Sequence, residues 1–110
     1  MDTWNLSELD VEPRHPQVLR SDDGAARAIA INLPAGEELQ DHEVHEHAWL
    51  HVHAGEVEVA QNGQSTTAGA GVVAHFDPHE RHEVRAKQDA TLLLVLAPWP
   101  GDGRDKDFDA

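Results

Sequence analysis

Apolar and polar residues alternate along the middle of the chain in short runs. In residues 27–33, Ile29, Ile31 and Leu33 alternate with alanines and an asparagine. A period of two residues is typical of a β-strand that buries one face. Further segments carry strand patterns: residues 48–54, 56–69, 71–76, 82–86 and 91–97. The pattern predicts seven or eight short strands, and therefore an all-β protein built as an antiparallel sandwich or barrel.

Turn residues mark where these strands end. Asn62-Gly63 is the favoured two-residue turn of a β-hairpin, and polar and apolar residues alternate before it, so residues 56–69 predict a hairpin. Asp77-Pro78 is also a turn sequence, and it ends the strand pattern of residues 71–76. The last run, 91–97, is apolar at nearly every position, which predicts a strand buried on both faces.

The two ends of the chain carry no such alternation. Residues 1–26 contain Pro13 and Pro16, which enforce extended backbone, and they end in a turn-like segment, RSDDGAA. Residues 98–110 are rich in proline, glycine and aspartate, a composition typical of flexible segments. We therefore expect an irregular N-terminal segment and turn at 1–26, one β-barrel domain at 27–97 and a flexible acidic tail at 98–110.

The composition narrows the possible functions. The formal net charge is −13 with histidine neutral, so the chain repels phosphate, and we expect neither nucleic acid nor an anionic membrane surface as a partner. No apolar run approaches the ~20 residues that a membrane-spanning helix needs, and the N-terminus lacks the apolar stretch of a signal peptide. We expect a cytoplasmic protein. Because the sequence has no cysteine, any metal must be held by imidazole and carboxylate groups.

Histidine is concentrated in one short segment. DHEVHEHAWLHVHAG, residues 41–55, holds five of the nine histidines. If this segment runs as one strand, its side chains alternate between two faces. The even positions are then mostly apolar, as in a buried face, with His42 at one end and Glu46 as the polar exception. The odd positions form an imidazole-rich outer face: His45, His47, Trp49, His51 and His53.

Two segments resemble the two conserved motifs of the cupin superfamily. PAGEELQDH, followed by VHAGEVEV, resembles the first motif: Gly36 precedes His42 by five intervening residues, and Gly55 closes the strand. GVVAHFDPHERHEVRA resembles the second motif, with His82 as its histidine. The resemblance covers roughly residues 27–97.

This resemblance implies a small RmlC-like fold, a double-stranded β-helix or jelly-roll barrel of the cupin type. It also implies a divalent metal held inside the barrel by three histidines and a glutamate. On this sequence His42 and His82 occupy two of the histidine positions. The positions of the remaining histidine and of the glutamate are Val44 and Ala48, so two of the usual ligands are absent.

A turn in the first motif would let another histidine point inward as the third metal ligand. If the chain turns near residues 44–46, the alternation is reset, and His45 or His47 points into the barrel beside His42. We take His42, His47 and His82 as the candidate metal ligands, and iron, zinc, copper, manganese and nickel all remain open as the metal. The alternative is that His42 and His82 form a hydrogen-bonded pair that lines a small pocket.

Three kinds of function are compatible with such a protein. The resemblance implies metal-dependent chemistry on a small organic molecule. The alternatives are a binding or sensing module without turnover, and a dimer that keeps the fold but has lost the full metal site. We favour a small cupin with a His-rich pocket that binds a divalent metal and binds or acts on a small organic molecule. A homodimer is expected, because an outer face carrying Trp49, His51 and His53 needs cover.

Overall fold

The computed structural model describes residues 1–42 and 44–101, and for residues 40–42 it describes the backbone alone. Within this part of the chain there are strands and turns and no helix, and thus no helix long and apolar enough to cross a membrane. The strands are β1 (Gln17–Asp22), β2 (Ala26–Leu33), β3 (Glu38–His42), β4 (His47–Ala54), β5 (Glu56–Gln61), β6 (Gln64–Gly69), β7 (Val73–Phe76), β8 (His82–Ala86) and β9 (Ala90–Ala97).

The strands of the described region form two antiparallel sheets. One has five strands in the order β1-β2-β9-β4-β7, and the other has four in the order β3-β8-β5-β6. Strands far apart in sequence lie side by side, since β9 pairs with both β2 and β4. The two sheets enclose one apolar core and, among the described residues, do not join into a single closed hydrogen-bonded barrel. The predicted all-β, jelly-roll class is confirmed.

Strand β4 shows how the sequence pattern produces the core. Its even positions, Ala48, Leu50 and Val52, are each at most 2% exposed, whereas Trp49 is 39% exposed. Because neighbouring side chains on a strand point to opposite faces, one face of β4 is buried and the other forms the outside of the five-stranded sheet. Leu50 lies opposite Leu94 of β9, which continues the inner layer into the next strand.

The hairpin predicted at residues 56–69 is confirmed. β5 and β6 pair along their full length, and the two residues between them are Asn62 and Gly63. Both residues have positive φ, 53° for Asn62 and 77° for Gly63, as a type I′ turn requires. The Asn-Gly pair therefore fixes the register of this hairpin locally.

Two strands occur where the alternation predicts none. β1 lies within the segment 1–26 that is expected to be irregular; it pairs only with β2 and is mostly exposed. β3 is an edge strand of the other sheet, and Leu39 is its one apolar residue. An edge strand is held chiefly by backbone hydrogen bonds to one neighbour, so it needs no apolar alternation in its sequence.

β9 is a central strand, as its apolar sequence indicates, but its burial is incomplete. Leu92 and Leu96 are at most 5% exposed, whereas residues 93–95 between them are only partly buried. The prediction of full burial on both faces is therefore too strong.

Both ends of the described chain pack against β2. Near the N-terminus, the Asn32 side-chain amide donates a hydrogen bond of 2.7 Å to the carbonyl oxygen of the buried Val11. Near the C-terminus, Trp99 packs on the core, and the Arg27 guanidinium lies 4.0 Å from the centre of its indole ring. Residues 98–101, the start of the segment expected to be flexible, are thus packed onto the fold, and residues 102–110 lie outside the described residues.

Gly55→Ala is expected to destabilise the protein strongly. Gly55 has a φ of 84°, and a Cβ there would overlap the Asp89 carbonyl oxygen and lie 2.7 Å from the Ala90 Cα. Gly36 has the same φ with nothing within 4 Å of its Cβ position, so Gly36→Ala is the matched control. We expect a loss of about 1–2 kcal/mol in the control from the left-handed backbone alone. Gly55→Ala should lose at least about 3 kcal/mol because of the added overlap. Urea unfolding measures both, and equal losses would contradict the steric argument.

Candidate metal centre

His82 lies on the inner face of β8 and is 9% exposed. Its ring stacks on that of Phe76, with ring centres 3.9 Å apart and an angle of 8° between the planes. The His82 Nδ1 lies 3.3 Å from the Glu80 carbonyl oxygen, which accepts a hydrogen bond in the tautomer protonated at Nδ1. These contacts hold the imidazole at the boundary between the core and one end of the sandwich.

His42 lies beside His82 in the same sheet. β3 pairs with β8, and the Cα atoms of His42 and His82 are direct partners after a shift in register. Opposed residues in an antiparallel pair have Cβ atoms about 4.5–5.5 Å apart. The backbone thus brings the two motif histidines together as neighbours, while the side chain of His42 lies outside the described atoms. Their joint role in metal binding stays a prediction.

A small cavity lies between the two sheets. The cavity next to His82 offers about 20 Å³ to water-sized molecules, and its lining is otherwise apolar. That volume suffices for about one water, whereas pockets for organic ligands measure about 300 Å³ or more. Val44 and Ala48, at the motif positions of the two absent ligands, belong to this lining. The described lining of this cavity therefore offers a metal one imidazole, and its volume is too small for an organic ligand.

A larger pocket opens at the end of the sandwich and also reaches His82. Its volume is about 260 Å³, and polar residues of the β5–β6 turn and of the start of β8 line it: Gln61, Asn62, Arg81 and Glu83. A small polar molecule can therefore approach His82 from outside the core.

His47 lies on the outer face of the five-stranded sheet. Burial follows the even positions without interruption from Val44 through Glu46 into β4. The reset of alternation that would turn His47 inward is therefore not found, and its side chain is 41% exposed. The structure places His47 away from the core in which His82 lies and brings it instead against β7 and the turn that follows β7.

His47, His75 and Asp77 form a compact group that we call the outer cluster. β4 and β7 are paired, with Trp49 opposite His75, so the odd positions of both strands share the outer face. The His47 Nδ1 lies 2.9 Å from the His75 Nε2 and 3.7 Å from the Asp77 Oδ1. One ligand atom from each residue lies within 4.8 Å of the other two. Within the described part of the chain, this is the group of three donors that is compact enough to hold a metal ion.

Aromatic contacts restrain the imidazoles of the outer cluster. The His75 ring stacks on that of His47 at 5.1 Å and 22°, and it lies 5.0 Å from the ring of Trp49. The His47–His75 contact is a hydrogen bond, so one of the two facing nitrogens carries a proton. A metal requires both nitrogens unprotonated, so metal binding there displaces that proton.

Sequence reasoning selects His47 as a ligand but does not identify its neighbours. The alternation that places His47 on the outer face is visible in the sequence. The pairing of β4 with β7, which brings up His75 and Asp77, joins segments more than twenty residues apart, and no local pattern signals it. His51 and His53 also lie on β4, and the His53 Nε2 is 2.8 Å from the Ser7 hydroxyl, so the N-terminal segment covers part of this face.

Glu46, the polar residue among the buried even positions 44–52, has a defined hydrogen-bond partner. It is 0% exposed, and its Oε2 accepts a hydrogen bond of 2.8 Å from the Gly101 N–H. Gly101 crosses so close that a Cβ there would overlap the His45 carbonyl oxygen. Only glycine permits such an approach. The segment after β9 therefore holds the loop that carries His45 and leads into the outer cluster.

The matching family model identifies the class of protein. Residues 30–97, more than half of the chain, match the model of the cupin domain. The chain therefore belongs to the cupin family, and the resemblance of its two motifs is confirmed. No curated protein matches the sequence.

Solved structures share the fold at low sequence identity. The chain is similar to an RmlC-like cupin protein from Desulfovibrio desulfuricans, with 23% identity, a TM-score of 0.79 and coverage of 89% of this chain and 97% of that one. An uncharacterized conserved protein with a double-stranded β-helix domain from Klebsiella pneumoniae has 23% identity, a TM-score of 0.74 and 94% coverage of each chain. An RmlC-like cupin with a double-stranded β-helix fold from Methanocaldococcus jannaschii has 18% identity, a TM-score of 0.74 and coverage of 92% and 90%. At these identities the likeness defines the fold, and the function must be argued from the site.

Glu46→Ala is expected to cost about 1–3 kcal/mol of stability, because it leaves the buried Gly101 N–H without its acceptor. Glu46→Gln keeps an acceptor oxygen in nearly the same volume and should lose less. Glu83→Ala removes a carboxylate from an exposed position of β8 and serves as the control, with a change within about 0.5 kcal/mol. Thermal unfolding measures all three. A Glu46→Ala variant as stable as the control would contradict the role given to this contact.

Proposed function

We propose that this protein binds a divalent metal ion at the outer cluster and presents it on the outside of the sandwich. The observation that carries the proposal is the convergence of three ligand atoms, from His47, His75 and Asp77, within 4.8 Å of one another. The small cavity next to His82 supports the same conclusion, since its described lining holds one imidazole among apolar groups.

The two distances from His47 to the other ligands of the outer cluster are close to those of a tetrahedral metal site. Bonds from zinc to nitrogen or oxygen are about 2.0–2.2 Å long, so neighbouring ligand atoms lie about 3.3–3.6 Å apart. The separations of 2.9 Å from His47 to His75 and 3.7 Å from His47 to Asp77 bracket this range. The Asp77 side chain is 67% exposed and can adjust to an incoming ion without disturbing the core.

Two imidazoles and a carboxylate form a donor set that suits zinc, iron, copper, nickel and manganese. Three protein ligands leave coordination positions open to water or to another ligand. We therefore propose a small organic molecule with an oxygen donor as the second ligand of this site, with Trp49 beside His75 as an apolar contact. When bound, the metal supplies Lewis-acid character to such an oxygen.

A second candidate site lies at the end of the sandwich. His42 and His82 pair directly across β3 and β8, and the pocket of about 260 Å³ reaches His82. This pair is what remains of the predicted set His42, His47 and His82 once His47 is assigned to the outer cluster. We keep it as the alternative that the metal-binding experiment must separate from the first.

The double variant His47→Ala/His75→Ala is expected to lose metal binding at the outer cluster. Loss of a group that merely supports a metal ligand costs about 10–100-fold in affinity. Removal of two ligands should therefore weaken Zn²⁺ or Co²⁺ binding by more than about 100-fold. Isothermal titration of the untagged protein, with elemental analysis after gel filtration, measures affinity and stoichiometry.

His51→Ala/His53→Ala is the matched control, because it removes the same number of imidazoles from the same five-stranded sheet. It should bind as the wild type does. If both double variants lose metal equally, the binding is adventitious and the proposal fails. If His82→Ala loses the metal while His47→Ala/His75→Ala keeps it, the site lies at the end of the sandwich instead.

The homodimer is proposed to form through the edge strand β7. Val73 on this strand is 57% exposed, and Val72 before it is 40% exposed. Edge strands with exposed apolar residues readily pair with another strand, and two copies of β7 can pair antiparallel across a two-fold axis. In a chain with a net charge of −13, this uncharged patch allows two copies to approach with little repulsion.

Val73→Lys is expected to convert the dimer to a monomer, because it places a charge on each side of the proposed strand pair. Val18→Lys is the control: Val18 is 47% exposed on β1, the edge strand at the other side of the same sheet. Light scattering coupled to gel filtration measures the mass. A monomeric wild type, or equal effects of the two variants, would refute the proposed interface.

A further inference from the structure

Further histidines that can bind a metal lie next to the outer cluster, on both of the chain segments that form it. His45 lies two residues before His47, and His79 lies two residues after Asp77. The donors therefore occupy alternate positions on two segments, 45 and 47 on one and 75, 77 and 79 on the other. These segments touch beyond the outer cluster as well. The rings of His45 and His79 meet edge to face, with centres 4.9 Å apart and an interplanar angle of 87°.

The imidazole of His45 contains a polar atom without a partner. Its Nδ1 is buried and makes no hydrogen bond to any of the described residues. Buried nitrogens in native proteins are almost always bonded to protein, water or an ion, so this atom points to a ligand. The position of His45 is constrained, because Gly101 packs directly against its carbonyl oxygen.

His79 is held in an uncommon backbone conformation. Its φ is 68°, in the left-handed region that few residues other than glycine adopt, although histidine is among those found there more often. The His79 N–H donates a hydrogen bond of 2.8 Å to the Val44 carbonyl oxygen, which ties the turn after β7 to the loop before β4. This conformation sets the His79 ring against that of His45.

We propose that His45 and His79 form a second divalent-cation position, next to the outer cluster along the same two segments. The proposal deepens the proposed function, because the same segments supply both positions. A site of two imidazoles, completed by water, selects Zn²⁺, Cu²⁺ or Ni²⁺ over Ca²⁺ and Mg²⁺, which prefer oxygen ligands. An ion at the Nδ1 of His45 satisfies the atom that otherwise lacks a partner. With two protein ligands instead of three, this position binds its ion more weakly than the outer cluster does.

Native mass spectrometry of the untagged chain, titrated with Zn²⁺, tests the proposal by counting bound ions. We expect two Zn²⁺ per wild-type chain, bound in two separate steps. His79→Asn should bind one, and asparagine suits this test because it also adopts positive φ and so preserves the turn. His51→Asn, which removes a histidine outside both positions, should still bind two. In a ¹⁵N-edited spectrum of the imidazoles, the second equivalent of Zn²⁺ should shift the His45 Nδ1 resonance.

The outcomes separate this proposal from the proposed function. One ion per wild-type chain, lost in His47→Ala/His75→Ala, overturns the second position and leaves the outer cluster intact. Two ions retained by His79→Asn also overturn the second position. If His47→Ala/His75→Ala keeps both ions while His79→Asn loses one, the outer cluster fails and the second position stands. A wild-type count of one ion overturns the second position even where a variant does not fold. A wild-type count of two supports it only together with the shift of the His45 Nδ1 resonance, because an ion bound by His42 and His82 would leave that resonance in place.

Discussion

Burial of the even-numbered side chains along β4 is the constraint on which the rest of this structure depends. Ala48, Leu50 and Val52 are fixed in the core between the two sheets, so the odd positions must face outward. A slip of one residue would expose the whole apolar set of β4 and move its outer imidazoles into the core, where their desolvation costs free energy. The position of His47, and through β7 that of its neighbours, follows from this single alternation.

The sequence predicts the part of the fold whose signals are local. Alternation predicts the core strands, and the Asn62-Gly63 pair predicts the hairpin turn with its left-handed backbone. The glycine and histidine spacing of the two motifs predicts the family. Alternation does not predict the edge strands β1 and β3, because an edge strand can form through backbone hydrogen bonds without an apolar face of its own. Their existence depends on partners that lie elsewhere in the chain.

The candidate site depends on contacts that span greater sequence distances, so it is less predictable. The motif register pairs His42 with His82, and the backbone of β3 and β8 does set them side by side. His47 is recognisable as a candidate by its residue type, but its neighbours His75 and Asp77 are set by the pairing of β4 with β7. Only the order of strands in the sheet reveals that pairing. The buried Glu46 is similar: the sequence marks it as an exception, and its acceptor role becomes clear only where Gly101 crosses it.

The position of the outer cluster outside the core has a consequence for how such a protein can change over time. Stability resides in apolar layers between the sheets, whereas the three metal-donor groups of the outer cluster lie on the outer face. Substitutions at exposed positions usually alter stability by less than about 0.5 kcal/mol, so this face can acquire or lose donor groups with little effect on folding. In proteins whose reactive groups lie inside the core, each such change disturbs packing as well. In β4, stability depends on the inner side of the strand and metal-donor chemistry on the outer side. The outer side is therefore open to evolutionary variation and to redesign.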